Sequence, residues 1–315
     1  MKFNPNARLD TSQVQDRRGG GGGGGRSGGI GGLPGGKGGL AVGGGGLGLI
    51  VIVVIVLINA FSGGGSATSS LLGGSSGNAA VNNAQLESAC QTGADANSND
   101  DCTVVAVVNS VQSYWADALA QSGTTYREAD TVFFNGSTST GCGTGSAGMG
   151  PFYCPPDEMV YIDLSFWDEL KTTFGANDAP FTQAYVLAHE YGHHVQNLLG
   201  TSDRVGTATG ATSGSVRLEL QADCYAGVWA NHATTVPDAS GQVLVTEVTD
   251  ADLKNAVDTA ATIGDDYIQT NIAGRQVDPS QFSHGTSAQR QKWLLTGYQS
   301  GNPVSCNTFD TNDLG

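Results

Sequence analysis

Basic residues are scarce in this 315-residue chain. Fourteen lysines and arginines face 29 aspartates and glutamates, for a net charge of −15. The scarcity is uneven. Six basic residues (Lys2, Arg8, Arg17, Arg18, Arg26 and Lys37) lie in the first 46 positions against two acids, Asp10 and Asp16. The remainder carries eight basic and 27 acidic groups. So acidic a part lacks the cations that phosphate contacts need, and no nucleic acid partner is expected. Cysteine is absent before Cys90, and histidine is rare, with five in the whole chain. No internal repeat occurs, which argues against a solenoid or propeller. Long apolar runs are absent with one exception, "LGLIVIVVIVLINAF", Leu47 to Phe61.

The sharp split of charge suggests two environments rather than one domain. Residues 1–46, rich in glycine and basic, are expected to form a disordered cytoplasmic arm that buries no core. The apolar run 47–61 carries no charge. Counted back to Leu40 it reaches about 22 uncharged residues, near the roughly 20 that cross a bilayer. It is expected to anchor the chain as a single transmembrane helix, with the basic flank inside and the acidic part outside. A signal peptide cleaved after "INA", at Ala60, is the alternative, and the long preceding arm favours an uncleaved anchor. Arg17 and Arg18 stand too far from the run for a twin-arginine signal. Residues 62–84 read as a flexible linker. Residues 85–315 suffice for one domain with a sizeable core.

All six cysteines fall in this exported part, which suggests disulfides. Of the 15 possible connectivities, nearest-neighbour pairing would join Cys90 to Cys102 and Cys142 to Cys154, leaving Cys224 with Cys306.

Within the domain a helix is expected over 102–121, a short strand in "DTVFFNG", and a long loop in "STSTGCGTGSAGMGPFYCPPD". "EMVYIDLSF" reads as a strand with Val160, Ile162 and Leu164 on one face. It is either an edge strand able to pair with an extended peptide or an internal one. If it is an edge, the Cys142–Cys154 loop would border the cleft as a lid. "DAPFTQAYVLAHEYGHHVQNLLG" reads as a helix with Asp178 as cap, Pro180 in its first turn and Gly200 at its end. Further helices are expected over 214–232, over 249–269 and over 287–298. Few strands and several helices make the expected class α+β.

His189 and His193 are four apart and share one helix face, so both can hold one ion. Glu190 lies about 100° round, badly placed as a ligand but able to reach a water on the metal as general base. His194 points elsewhere and reads as a packing or hydrogen-bonding residue. Gly192 inside a helix costs about 1 kcal/mol against alanine, which hints at a close approach. A catalytic zinc needs a third protein ligand and one open position. Gln196 and Leu199 occupy the places that a metzincin would fill with glycine and histidine, which excludes that class. Glu219, in "ELQAD", is the third ligand candidate. Asp223, one turn on, can accept a hydrogen bond from the far nitrogen of a ligand histidine. The reverse assignment of Glu219 and Asp223 is the minor variant. His232, at a helix end, reads as a partner of the helix dipole.

"HEYGHH", "ELQADC" and "SHGTSAQRQKWL", with "SQVQDRRG", "GPFYCPPD", "YIDLSF" and "IGDDYIQ", resemble the putative neutral zinc metallopeptidase family of bacteria. The zinc motif and the E-x-x-A-D pair also resemble gluzincin peptidases. The resemblance implies a zincin-like, mostly helical metallopeptidase domain with a small sheet. It implies Zn2+ on His189, His193 and Glu219, Glu190 as the base and Asp223 as support. By the same resemblance His284 donates to the developing oxyanion, with Arg290 fixing it or pairing with Glu219 or Asp223. The expected activity is peptide-bond hydrolysis of a peptide or protein substrate outside the cytoplasmic membrane. The rivals are a non-catalytic, zinc-stabilised envelope binding module and metal-assisted hydrolysis of a non-peptide wall component.

Overall fold

The computed structural model describes residues 1–18, 83–206 and 208–315. The expected anchor, the arm beyond Arg18 and the linker up to residue 82 lie outside the described residues. Among the described residues no helix is long and apolar enough to cross a membrane.

Three long helices carry the core. The helix α3 (Asp100–Gln121) is capped by Asn99, whose side chain accepts the N–H groups of Asp101 and Cys102. Its valines are poor helix formers, but Val104, Val105, Val107, Val108 and Val111 are all buried, and burial overrides propensity. Before it lie α1 (Asn83–Ala89) and α2 (Gly93–Ala96). The helix α5 (Pro180–Leu198) has Pro180 in its first turn, and Gly200 at φ +70° follows its end. Ala179, not Asp178, is the capping residue; Asp178 accepts a hydrogen bond from Lys171 instead. The helix α6 (Gly214–His232) is capped by the Ser213 hydroxyl. The remaining helices are α4 (Phe166–Thr172), α7 (Asp250–Thr262), α8 (Asp265–Tyr267) and α9 (Ser287–Ser300). The single helix expected over 249–269 breaks at Gly264, where a Cβ would lie 2.3 Å from the Ser287 backbone nitrogen.

A four-stranded mixed sheet has the order β2 (Val14–Asp16), β3 (Thr131–Phe134), β7 (Met159–Asp163), β6 (Phe152–Cys154). The first three run parallel and β6 pairs antiparallel with β7. The strand β7 is therefore internal, and the edge next to α5 belongs to β6. The long loop expected here contains both that edge strand and a hairpin of β4 (Ser137–Thr140) and β5 (Gly143–Ser146). A separate pair joins β1 (Lys2–Phe3) to β8 (Val245–Glu247).

The expectation of a disordered arm fails for residues 1–18. Phe3, Ala7 and Val14 are buried in the domain, and Val14, Gln15 and Asp16 pair with Thr131, Val132 and Phe133. Asn109 donates to the Asp10 carbonyl and accepts from its N–H, and Asn97 does the same for Phe3. Arg18 forms ion pairs with Asp16 and Asp101 and lies over the Phe133 ring. Averaging composition over 46 residues hid a glycine-free segment ahead of the tract that begins at Gly19. Asn83 and Ala84, expected in the linker, already belong to α1, and Asn83 accepts the Asp16 N–H at 2.9 Å.

The disulfides are Cys90–Cys102, Cys142–Cys154 and Cys224–Cys306, the pairs that nearest-neighbour reasoning expects. The first ties α1 to α3, the second closes the β4–β5 hairpin onto β6, and the third fastens the C-terminal turn to α6.

Candidate metal centre

The helices α5 and α6 pack antiparallel and unusually close. A Cβ on Gly192 would lie 3.1 Å from the Ala222 Cα and carbonyl oxygen, so the helix glycine marks this approach. The crossing places His189 and His193 opposite Glu219. His189 Nε2 is 3.1 Å from Glu219 Oε2, and His193 Nε2 is 3.5 Å from Glu219 Oε1. All three donor atoms lie within 4.8 Å of one another. Ligands at roughly 2.0–2.1 Å from a tetrahedral zinc stand about 3.3 Å apart, so the spacing and the His₂Glu donor set fit that ion.

Hydrogen bonds on the far side of each ring fix which nitrogen faces the centre. His189 Nδ1 donates to Asp223 Oδ1 at 2.8 Å, and His193 Nδ1 donates to Gln196 Oε1 at 2.8 Å. Both Nε2 atoms are thereby directed inward. Gln196 is itself held by donating to the Leu218 carbonyl and to Gln221. Asp223 is fully buried and accepts further hydrogen bonds from Arg290, at 2.8 and 3.0 Å, and from Tyr185 at 2.6 Å. Arg290 thus pairs with Asp223. It does not pair with Glu219 and does not fix His284.

The charges respond to this packing. Burial pushes Asp223 up, but Arg290 and His189 outweigh it and hold its carboxyl down at about 2. Burial pulls His189 down, but Asp223 and Glu219 raise it to about 10. Burial likewise opposes ionisation of Glu219, yet His193 and His189 keep its carboxyl well below the usual range. Two carboxylates around one imidazole make a place that favours positive charge, whether a proton or a metal cation. Glu190 behaves differently. Burial raises its carboxyl, and the neighbouring histidines only partly counter this. It sits beside the three donors without belonging to them.

A cavity of about 420 Å³ opens in front of these residues. Glu190 and the three donors line it, as do His284, Tyr153, the β4–β5 hairpin and an apolar wall of Val186, Phe174, Ile263 and Ile268. His284 is held by Asp265, which accepts the N–H groups of Ser283, His284 and Gly285 and the ring Nδ1 at 3.2 Å. Burial pulls the His284 ring down, and Asp265 and Glu219 more than restore it, so its charged form is favoured. His194 stays out of the donor set, buried among hydrogen-bonding partners. His232, the last residue of α6, donates to the carbonyl of Gly301, which caps the end of α9, and stacks on Tyr114.

Sequence reasoning missed Asp265, Gln196 and Tyr185. Gln196 lies three residues past His193, within one turn, a spacing that could have flagged it. Asp265 and Tyr185 meet their partners only through tertiary packing.

A family model described as "Putative neutral zinc metallopeptidase" matches residues 3–309. An uncharacterized protein of Mycobacterium tuberculosis, Rv2575, is 48% identical over 230 residues, covering 72% of this chain and 77% of that protein. The uncharacterized protein YpfJ of Escherichia coli is 45% identical over 209 residues, covering 64% of this chain and 69% of that protein. No solved structure matches. The chain belongs to the putative neutral zinc metallopeptidase family.

Proposed function

We propose that this family member is a zinc-dependent endopeptidase that hydrolyses peptide or protein substrates outside the cytoplasm. The observation that carries the reading is a division of labour among buried side chains. Three of them, His189, His193 and Glu219, converge as a donor set, while Glu190 lines the cavity beside them without belonging to that set. A zinc ion in that set supplies a Lewis acid for the scissile carbonyl and lowers the pKa of a water molecule. Glu190 accepts the proton of the attacking water and returns it to the leaving amine. Its raised carboxyl suits both steps, since a group that releases its proton too readily is a weak base. His284, held at Nδ1 by Asp265, donates to the oxygen on which negative charge develops.

An extended substrate has a place to lie. The strand β6 is paired on one side by β7, and its other edge borders the cavity. Main-chain hydrogen bonds to this edge would hold a peptide whatever its side chains. That favours a peptidase over hydrolysis of a wall glycan. A cavity in front of the donors also favours catalysis over a closed, purely structural zinc site.

Three disulfides and no free cysteine among the described residues favour an oxidising compartment. Residues 1–18 contribute strands to the same domain, so they share that compartment. This pairing speaks against a cytoplasmic arm followed by one membrane crossing.

The test is Glu190→Gln. The full chain should keep stoichiometric zinc and lose hydrolysis of denatured casein. Full activity with zinc retained would remove Glu190 from the mechanism.

A further inference from the structure

The three disulfides differ in what surrounds them. Cys90, Cys102, Cys224 and Cys306 are at most 1% exposed. Cys154 is also fully buried, but its partner Cys142 is exposed and lines the cavity in front of the metal donors. This disulfide alone offers an attacking thiolate an exposed side.

The hairpin that it holds has little else to hold it. Residues 137–146 read "STSTGCGTGS", with no large apolar side chain to bury. Gly145 is the one buried residue among them, and a Cβ there would lie 2.6 Å from Phe152 Cζ. Among the described residues one hydrogen bond carries the hairpin beyond its own base: the Gly141 N–H donates to Asp157 Oδ2 at 2.6 Å. Gly136 and Gly150, on either side, both have φ of +69°, a region that glycine enters freely. A two-stranded hairpin is marginal by itself in water. The Cys142–Cys154 bond is therefore the main tie between β4–β5 and the rest of the domain. Thr140, Cys142, Thr144 and Gly145 belong to the wall of the cavity that Glu190 and the three donors line. About 420 Å³ stays free with the bond closed, so the hairpin walls the cavity and does not plug it.

We propose that Cys142–Cys154 is a redox latch: closed, it holds the β4–β5 hairpin as a wall of the substrate cavity; reduced by an external dithiol, it frees the hairpin and weakens substrate binding. A thiolate of the dithiol attacks Cys142 Sγ, the bond between the two sulfurs breaks, and Cys154 leaves as a thiolate and takes up a proton. The second thiolate attacks the mixed disulfide and releases Cys142, which is protonated in turn. The protein gains two electrons and two protons, and the dithiol becomes a disulfide. The effect on binding rests on the peptidase reading; the latch itself does not.

The test uses the full, zinc-loaded chain with reduced thioredoxin as the dithiol. Samples are quenched at intervals, alkylated in denaturant and mapped by mass spectrometry. Cys142 and Cys154 should become free roughly tenfold faster than the other four cysteines. Backbone amides of residues 137–146 should then exchange hydrogen about tenfold faster, while those of β7 stay unchanged. With denatured casein KM should rise about fivefold, kcat should stay within about twofold, and zinc content should not change. Reoxidation should restore KM. Cys142→Ala with Cys154→Ala should match the reduced wild type before any reductant is added.

The proposal is overturned if either of the other disulfides opens as fast as Cys142–Cys154. It is equally overturned if the hairpin amides exchange alike in both redox states, or if KM is the same in both. Should the double variant not fold, the reduced wild type decides alone. Wild type and Glu190→Gln are assayed first. If wild type hydrolyses no casein, the peptidase reading fails, and thiol mapping and exchange still decide the latch.

Discussion

Replacing Gly227 with alanine sets two rules against each other. In an ordinary helix interior the change stabilises by about 1 kcal/mol, because glycine carries excess backbone freedom in the unfolded chain. Here a Cβ on Gly227 would lie 2.1 Å from the Leu294 carbonyl oxygen, and one on Gly297 would lie 1.9 Å from the Cys224 carbonyl oxygen. The helices α6 and α9 therefore touch backbone to backbone, and neither atom can swing aside. Restoring ordinary contact requires them to part by more than 1 Å. Arg290 on α9 reaches Asp223, one turn before Gly227 on α6, by bonds of 2.8 and 3.0 Å that would not survive such a shift. Overpacking costs roughly 1–3 kcal/mol, and a broken buried ion pair adds part of a further 3–5 kcal/mol. We expect Gly227→Ala to destabilise the metal-free protein by about 3 kcal/mol, read from urea unfolding followed by circular dichroism. Because Asp223 also orients His189, zinc affinity should fall about tenfold in the same variant. An alanine variant as stable as wild type, or stabler, would refute the backbone contact and the reasoning built on it.

Other perturbations separate the parts of the molecule. Asp265→Asn should lower kcat about tenfold while zinc content stays at wild-type level, because it loosens His284 and not the donor set; loss of zinc instead would place Asp265 in support of the metal. Glu219→Ala should abolish stoichiometric zinc binding, measured by atomic emission after dialysis, and unchanged zinc content would exclude this donor set. Removing Cys224–Cys306 should destabilise by about 4.5 kcal/mol and removing Cys90–Cys102 by about 3 kcal/mol, since the first closes a loop of 82 residues and the second one of 12; the reverse order in urea unfolding would contradict the loop-length argument. Lys2 and Glu247 are register partners of β1 and β8, so Lys2→Cys with Glu247→Cys should give an intramolecular disulfide in exported protein. A thiol that stays free in the Lys2→Cys variant and is reachable only from the cytoplasmic side would show that the two strands never meet.

What was legible in the sequence follows the range of the forces involved. The helices α3, α5, α6 and α9 announce themselves by local pattern, and the two imidazole donors by four-residue spacing on one of those helices. Glu219 was legible because a carboxyl pair on a helix follows the histidines at a distance a turn can close. Reading Glu219 as the donor and Asp223 as its support rests on neighbours that lie far off in the chain. Arg290 neutralises Asp223 from 67 residues away and Tyr185 donates to it from 38, which leaves Asp223 committed to the outer nitrogen of His189. Asp265 was invisible for the same reason. It lies in a stretch whose helical pattern runs on through Gly264, and only the approach of Ser287 shows why the helix stops there.

The same argument explains the largest discrepancy. Charge and glycine content describe an average over a window, and they cannot register a strand that finds its partner more than a hundred residues later. Val14, Gln15 and Asp16 supply the outer strand of a parallel pair whose inner member, β3, is buried on both faces. Without them β3 would expose unpaired backbone groups along an apolar edge. Asp16 and Arg18 are the opposite of solvated tail charges. Burial pushes the Asp16 carboxyl up, yet Arg18 holds it below the ordinary range, and Arg18 bridges from it to Asp101 at the start of α3. An electrostatic split that looks like two compartments along the sequence is thus partly neutralised within one fold, by contacts that bring Asp16 and Arg18 against Asn83 and Asp101.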